Sequence, residues 1–382
     1  MFSNNDKISS RQIKRLLIFD LFGAASLLLP AQLAKSGNGA GIYSILAGTA
    51  LAGCYLWMLL ACCGQASGDY LGYLMNGWGS ALSRFFYGCY AVISLLACAW
   101  ASKLLTELMC DSLLSSRDFA AALFVILLLA FYGGIAGLEA RARVYEIMFW
   151  VLVIPLIIML LLCIRQVQAF QWFPMSVSGS RNGGMWFFSG MLQCFASFLP
   201  LTFLLFLIPH VTDKKRTGRA AYCAVAAGGA AVLIMYLILL GIFGSGALAA
   251  EKYPAVTLMG MVKIPGDFVK RLDAVMVGVW FFTLYALIGS SLYYGTDTAR
   301  SLFGKRNEQG RESLRAGKAY EKGKKRWFVA VTAAVYGIAY AFHIWPDVQT
   351  VMYEIFYLAG IPFLVIVPAG ALILNKVRKQ RK

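Results

Sequence analysis

The chain has 382 residues, of which 60% are hydrophobic and only 14% charged. A soluble domain carries about 25% charged residues, so this composition excludes an ordinary soluble globule, and a disordered chain has the opposite bias. The formal net charge of +17 would suggest nucleic acid as partner of a soluble protein. In a polytopic membrane protein it reads instead as cytoplasmic loops facing anionic headgroups, with membrane lipid as the partner and no nucleic acid.

Ten apolar runs are long enough to cross a bilayer, which takes about 20 residues. The first, roughly 15–35, follows Lys7, Arg11, Lys14 and Arg15. With Ala31-Gln32-Leu33-Ala34 it has the outline of a cleaved signal peptide, but it carries features of a repeat unit and is read as a retained span. The next four are roughly 40–63, 81–105, 118–138 and 145–165. The second five are roughly 185–209, 219–245, 271–302, 327–345 and 350–375. No lysine lies within 145–164, and Arg141 and Arg143 are assigned to the loop before that run.

Orientation follows from the basic residues of alternate loops. With the N-terminus in the cytoplasm, that side receives twenty-six Lys and Arg and the other side nine. Both termini are therefore expected to be cytoplasmic. The stretch 303–326 is expected to be a solvated basic cytoplasmic loop, gripping anionic lipid or docking a partner.

Ten spans with both ends on one side suggest two halves of five with opposite topology. Ala25-Ser26-Leu27-Leu28-Leu29-Pro30 in the first span has a counterpart in Ala196-Ser197-Phe198-Leu199-Pro200 in the sixth. Each is followed by a small-residue helix, from Gly39 and from Gly218. Residues 1–382 are thus read as a single transmembrane domain, with a first repeat of about 15–165 and a second of about 185–375. Helix breakers free backbone groups that must find partners in hydrocarbon. Spans 1 and 6 are therefore expected to be discontinuous at the midplane, where half-helix ends can hold a carboxylate and an ammonium. Two merely kinked helices are the alternative.

Two segments resemble a known family. One is Lys7-Ile8-Ser9-Ser10-Arg11-Gln12 leading into a span with Gly23 and Pro30. The other is Tyr253-Pro254-Ala255-Val256-Thr257-Leu258-Met259, continuing through Ile264 and Arg271-Leu272-Asp273-Ala274 to Trp280. Both are similar to the spore germination permeases, the B subunits of nutrient germinant receptors, within the amino acid–polyamine–organocation superfamily. The resemblance implies an all-α, LeuT-like fold of two five-helix inverted repeats in the spore inner membrane. It also implies a small nutrient ligand, often an amino acid, and a complex with A and C subunits. A secondary transporter for amino acids or polyamines is the alternative.

In such a fold the ligand is expected among spans 1, 3, 6 and 8. The candidates are Gly23, Ala24 and Ser26 in span 1, and Tyr87, Tyr90 and Ser94 in span 3. Span 6 offers Gln193, Cys194 and Ser197, and span 8 offers Thr283, Tyr285, Leu287 and Ser290. Each hydroxyl could equally serve as a helix–helix hydrogen bond, and each tyrosine as packing. Asp20, an acid inside a span, is a candidate ion or proton site, or one partner of a structural pair. Glu107 and Asp111 are read as interfacial, and Asp273 as paired with Arg271 at an interface. Nine cysteines without C-x-x-C spacing and two histidines, His210 and His343, give no reason to expect a metal or a cofactor. No nucleophile triad, H-E-x-x-H or phosphate-cradling loop is evident, so no enzyme is expected.

Overall fold

The structure, a computed structural model, describes residues 7–37, 40–65, 69–114, 118–172, 183–207, 210–211, 213–261, 272–303 and 314–380. Among these, the chain is helical, and the one β-type pairing is an isolated bridge of Ile8 with Val211. Ten helical stretches among the described residues are long and apolar enough to cross a membrane.

The first half comprises α1 (Ser10–Gly37), α2 (Gly41–Gln65), a short α3 (Tyr70–Trp78), α4 (Ser80–Ser112), α5 (Phe119–Ala136) and α6 (Leu138–Ile164). After a 3₁₀ turn at Ala169–Trp172 the second half begins with α7 (Gly183–Ser197), a 3₁₀ segment at Leu199–Phe203 and α8 (Leu204–Leu207). It continues with α9 (Lys214–Ala250), α10 (Pro254–Met261), α11 (Leu272–Phe303) and α12 (Leu314–Ile344). The tenth span is α13 (Pro346–Ile355), a π-helical turn at Phe356–Gly360 and α14 (Ile361–Gln380).

The most buried spans are α1, α7–α8 and α11, and the least buried is α6. α1 lies at the centre, against α6, α7, α9 and α11, while α11 also packs along α4. Close approach of α1 and α11 depends on Gly23, where a Cβ would fall 2.9 Å from Thr283 Oγ1. The fully buried Trp280 then donates its indole N–H to Ser26 Oγ at 3.1 Å, fixing α11 to the middle of α1. At its start, α1 is tied to α6 by Arg15 and Glu146, 2.8 Å apart.

The two repeat-related prolines behave differently. In span 6 the helix stops at Ser197, and Phe198 (φ −94°, ψ 0°) opens the 3₁₀ segment containing Pro200. Proline has no N–H to give the preceding turn and disfavours α geometry in the residue before it. In span 1 the expected break is absent: α1 runs unbroken through Pro30. Leu27, Leu29 and Leu33 are all buried to 1% exposure or less, and this packing on both sides of Pro30 holds the helix across one missing hydrogen bond.

Two further differences concern charge. The second half of the expected 303–326 loop is helix, because α12 begins at Leu314; residues 304–313 lie outside the described residues, as do the side chains of Arg271 and Asp273. Arg141 does not sit in a loop. Gly137, at φ 93°, turns the chain sharply so that α6 starts at Leu138, directly after α5. A positive φ of this kind is readily reached only by glycine. Leu138, Arg141, Ala142 and Tyr145 then form the buried stripe of α6, the i, i+3, i+4, i+7 pattern of a packed face. Arg143, about half exposed, takes the outer side and pairs back to the more covered Glu139.

Candidate functional site

A cavity of about 220 Å³ lies between α1, α4, the broken span 6, α11 and the tenth span. Along α1 its wall runs from Asp20 through Ala24 and Leu28 to Gln32, about 18 Å of helix axis at 1.5 Å per residue. α4 contributes Tyr90, Ile93, Ser94, Ala97 and Trp100, again one helical face. Span 6 contributes Gln193 and Ser197 before the break and Pro200, Thr202, Phe203 and Phe206 after it.

Of the residues expected from sequence, Ala24, Tyr90, Ser94, Gln193, Ser197 and Leu287 line this cavity, as does Asp20. The others lie off its wall for identifiable reasons. Gly23 is occupied by the Thr283 contact, and Thr283 itself donates to the Val279 and Trp280 carbonyls of its own helix, each at 3.1 Å. Ser26 donates to the Gly23 carbonyl at 3.2 Å and accepts from Trp280. Cys194 is fully buried against α2, its Sγ 3.6 Å from the Ile45 carbonyl oxygen. Tyr87 packs on Phe206 from behind. Tyr285 reaches away to donate to the Leu129 carbonyl of α5 at 2.9 Å. Ser290 lies behind Asp20.

The tenth span was missed. Gln349, Met352, Tyr353, Phe356 and Tyr357 line the cavity, at the spacing of a single helix face. That i, i+3, i+4, i+7, i+8 series is visible in the sequence, and limiting the expectation to spans 1, 3, 6 and 8 hid it. π-Helical turns often occur at functional sites, and here the Phe356–Gly360 turn carries two of these wall residues. Gln32 and Trp100 were missed as well.

The wall is mainly aromatic and aliphatic, with amides and hydroxyls spaced along it. Gln193 Oε1 is buried and has no hydrogen-bond partner among the described residues. Thr202 shares a hydrogen bond of 2.7 Å with Tyr55, and Tyr90 one of 3.3 Å with Tyr70. Asp20 is the one charged side chain on the wall among the described residues. Behind it stands a buried relay. Ser290 donates to the Asp20 carboxylate, 2.9 Å from each oxygen, and accepts from Arg141 Nη2 at 2.7 Å. Asp20, Ser290 and Arg141 are 3%, 0% and 5% exposed. The guanidinium lies over the rings of Tyr145 and Tyr293, 5.8 Å from each centroid.

At the other end of the cavity is a second charged group. Glu107 Oε1 lies 3.3 Å from Lys103 and 3.8 Å from His343, and Glu107 Oε2 lies 3.6 Å from Lys252. Lys252 also pairs with Asp111 at 3.0 Å. Lys103 is hydrogen-bonded to Gln349, a wall residue of α13. No group of three or more His, Cys, Asp or Glu suited to a metal occurs among the described residues.

Buried helical spans around a cavity at a broken helix define the class: an integral membrane protein of the LeuT-type transporter fold. Two solved structures share the architecture. A Na⁺-coupled sialic acid symporter, in a substrate-bound outward-open state, aligns with TM-score 0.65 at 12% identity over 96% of this chain and 89% of its own. Mhp1, a nucleobase-cation-symport-1 transporter closed around bromovinylhydantoin, aligns with TM-score 0.63 at 12% identity over 97% of this chain and 90% of its own. The family model described as spore germination protein, or spore permease, matches residues 7–351, and the chain belongs to this spore germination permease family. It is similar to spore germination protein B2 of Bacillus subtilis (strain 168), 23% identical over 76% of this chain and 78% of that protein. It is also similar to spore germination protein YndE of the same organism, 21% identical over 80% and 84% of the two chains.

Proposed function

We propose that this protein is the membrane subunit of a spore nutrient-germinant receptor. In this reading it binds a small nutrient, an amino acid by its chemistry, in the cavity described above. The observation that carries the reading is the wall itself. An elongated apolar pocket with one carboxylate, spaced amides and hydroxyls and a helix broken at Phe198 suits a zwitterion with an aliphatic or aromatic side chain. The ammonium would face Asp20. Ala24, Ser94, Gln193, Ser197 and Leu287 would contact the body of the ligand, with Tyr90 and Trp100 as aromatic walls. Binding would shift a conformational equilibrium and pass the shift to A and C subunits. The basic-residue count, still heavily one-sided with Arg141 moved inside, supports a topology with both termini in the cytoplasm, in which the Gln32–Trp100–Gln349 end of the cavity would face outside. The membrane would be the spore inner membrane.

A second reading, a working amino acid or polyamine transporter, is favoured by the transporter structures that share the fold. The two are separated in sealed liposomes loaded with purified protein and given labelled amino acids under imposed sodium or proton gradients. Saturable binding without accumulation supports the receptor; accumulation beyond one ligand per protein supports transport. Ser197→Leu fills the pocket, and the expected outcome is at least a tenfold loss of affinity, about 1.4 kcal/mol, with thermal stability near wild type. Unchanged binding would move the ligand elsewhere.

A further inference from the structure

One solved structure with this fold is of a Na⁺-coupled symporter, which raises the question of what balances the buried carboxylate in this chain. An acid inside an apolar bundle stays ionised only beside a compensating cation, because an isolated charge is strongly disfavoured there. Either a bound alkali ion or a resident basic side chain can serve. The two leave different signatures. An ion site needs several oxygens turned inward around an open position. A resident cation fills that position with its own donors.

The structure shows the second arrangement. The hydroxyl hydrogen-bonded to Asp20 is that of Ser290, and it already accepts the Arg141 N–H at 2.7 Å while donating to both Asp20 oxygens. The arginine comes from α6, Asp20 from α1 and Ser290 from α11, so three spans meet at one charge-neutral unit. Its Nε and Nη1 are buried as well, so the guanidinium adds further donors to this space. The electron-rich faces of Tyr145 and Tyr293 lie on the guanidinium, the environment of a cation and not of an anion. This donor set does not fit a sodium ion.

We propose that Arg141 is a resident counter-ion for Asp20, so that the folded protein requires no alkali cation at this site. The corollary is that removing the arginine creates a cation site. Arg141→Met would leave the Asp20 carboxylate and the Ser290 hydroxyl facing a vacated volume. Sodium is the natural occupant.

The test uses full-length purified protein in detergent or nanodiscs and reads thermal unfolding at constant ionic strength. Sodium, potassium or choline is the cation, and no nutrient is present, so the outcome is independent of the nutrient-binding reading. Wild type should unfold at the same temperature in all three. R141M should be less stable in choline and show a saturable sodium-dependent rise of several degrees. The double variant D20N/R141M should lose that rise. R141K, which keeps the charge, should remain indifferent to the cation. A saturable sodium-dependent rise in wild type that D20N abolishes would overturn the proposal, as would an R141M protein of wild-type stability in choline. If R141M does not accumulate, wild type, D20N and R141K carry the decision: cation indifference in all three supports the resident counter-ion, and a sodium response in wild type or R141K rejects it.

Discussion

The two charged groups of this protein use similar side chains under opposite conditions. At one end of the cavity Asp20 and Arg141 are joined through one serine hydroxyl, with no member more than 5% exposed. At the opposite end Glu107, 22% exposed, gathers Lys103, Lys252 and His343, and the Lys252 and His343 side chains are open to solvent, 61% and 41% exposed. In low dielectric a charge pair is strong but costly to break, because the survivor is left unpaired. At a wet surface the same pair contributes little and is screened by salt. The buried group should therefore govern whether the bundle folds. The more exposed one should govern how α13 sits over the cavity, through the Lys103–Gln349 hydrogen bond.

The sharpest way to break the comparison is to remove one buried charge. Arg141→Met in the absence of added alkali cation is expected to destabilise the protein by about 3–5 kcal/mol. The D20N/R141M pair should recover a substantial part of that loss. A double-mutant cycle on thermal unfolding reads the coupling, and additive losses would mean that the two charges do not compensate each other. Ser290→Ala comes next. It removes the bridging hydroxyl and leaves buried donors and acceptors unsatisfied, an expected cost of about 1–3 kcal/mol. A neutral effect in the same assay would show that the serine is a bystander.

Smaller effects are expected at the mouth. Glu107→Gln should change stability by less than about 1 kcal/mol, and by less again at high salt. A large, salt-insensitive loss would erase the contrast between the two ends. Lys252 sharpens it further. Desolvation pulls its ammonium down, but the Asp111 hydrogen bond, the neighbouring Tyr253 and the Glu107 and Asp111 carboxylates outweigh that, so its pKa lies above the ordinary lysine value. A cation held more tightly when folded contributes its full stability below the unfolded pKa and loses it as pH rises through the folded one. The small difference between wild type and Lys252→Met should therefore be flat across neutral and mildly alkaline pH in thermal unfolding, and fade only in strong alkali.

Much of the architecture was legible because a bilayer imposes local rules. A span must be apolar for about 20 residues whatever it packs against, so run length and hydropathy are enough to count spans. The likeness of Ala196–Pro200 to Ala25–Pro30 located a true break in span 6, since proline acts on its own preceding turn. The same signal misled at Pro30, where the packing of Leu27, Leu29 and Leu33 holds α1 continuous. Half of the expected ligand face was placed on the cavity wall, because i, i+3, i+4 spacing keeps Tyr90 with Ser94 and Gln193 with Ser197 on one side of a helix. Which face turns inward depends on neighbours, and so Ser26, Cys194, Tyr285 and Ser290 were assigned to a wall they do not reach.

By itself the sequence determined that this is a membrane protein with ten apolar spans and a break in the sixth, because hydropathy and helix breaking are properties of the local chain. Only the tertiary structure decided that the tenth span closes the cavity and that Arg141 is an interior cation rather than a loop charge. A lone arginine after Gly137 reads as cytoplasmic when residues are counted one by one. It becomes a counter-ion only when a glycine turn starts α6 early and three separate spans bring a guanidinium, a hydroxyl and a carboxylate into contact. That convergence is a long-range property, and charge burial is stable only when all three groups arrive together.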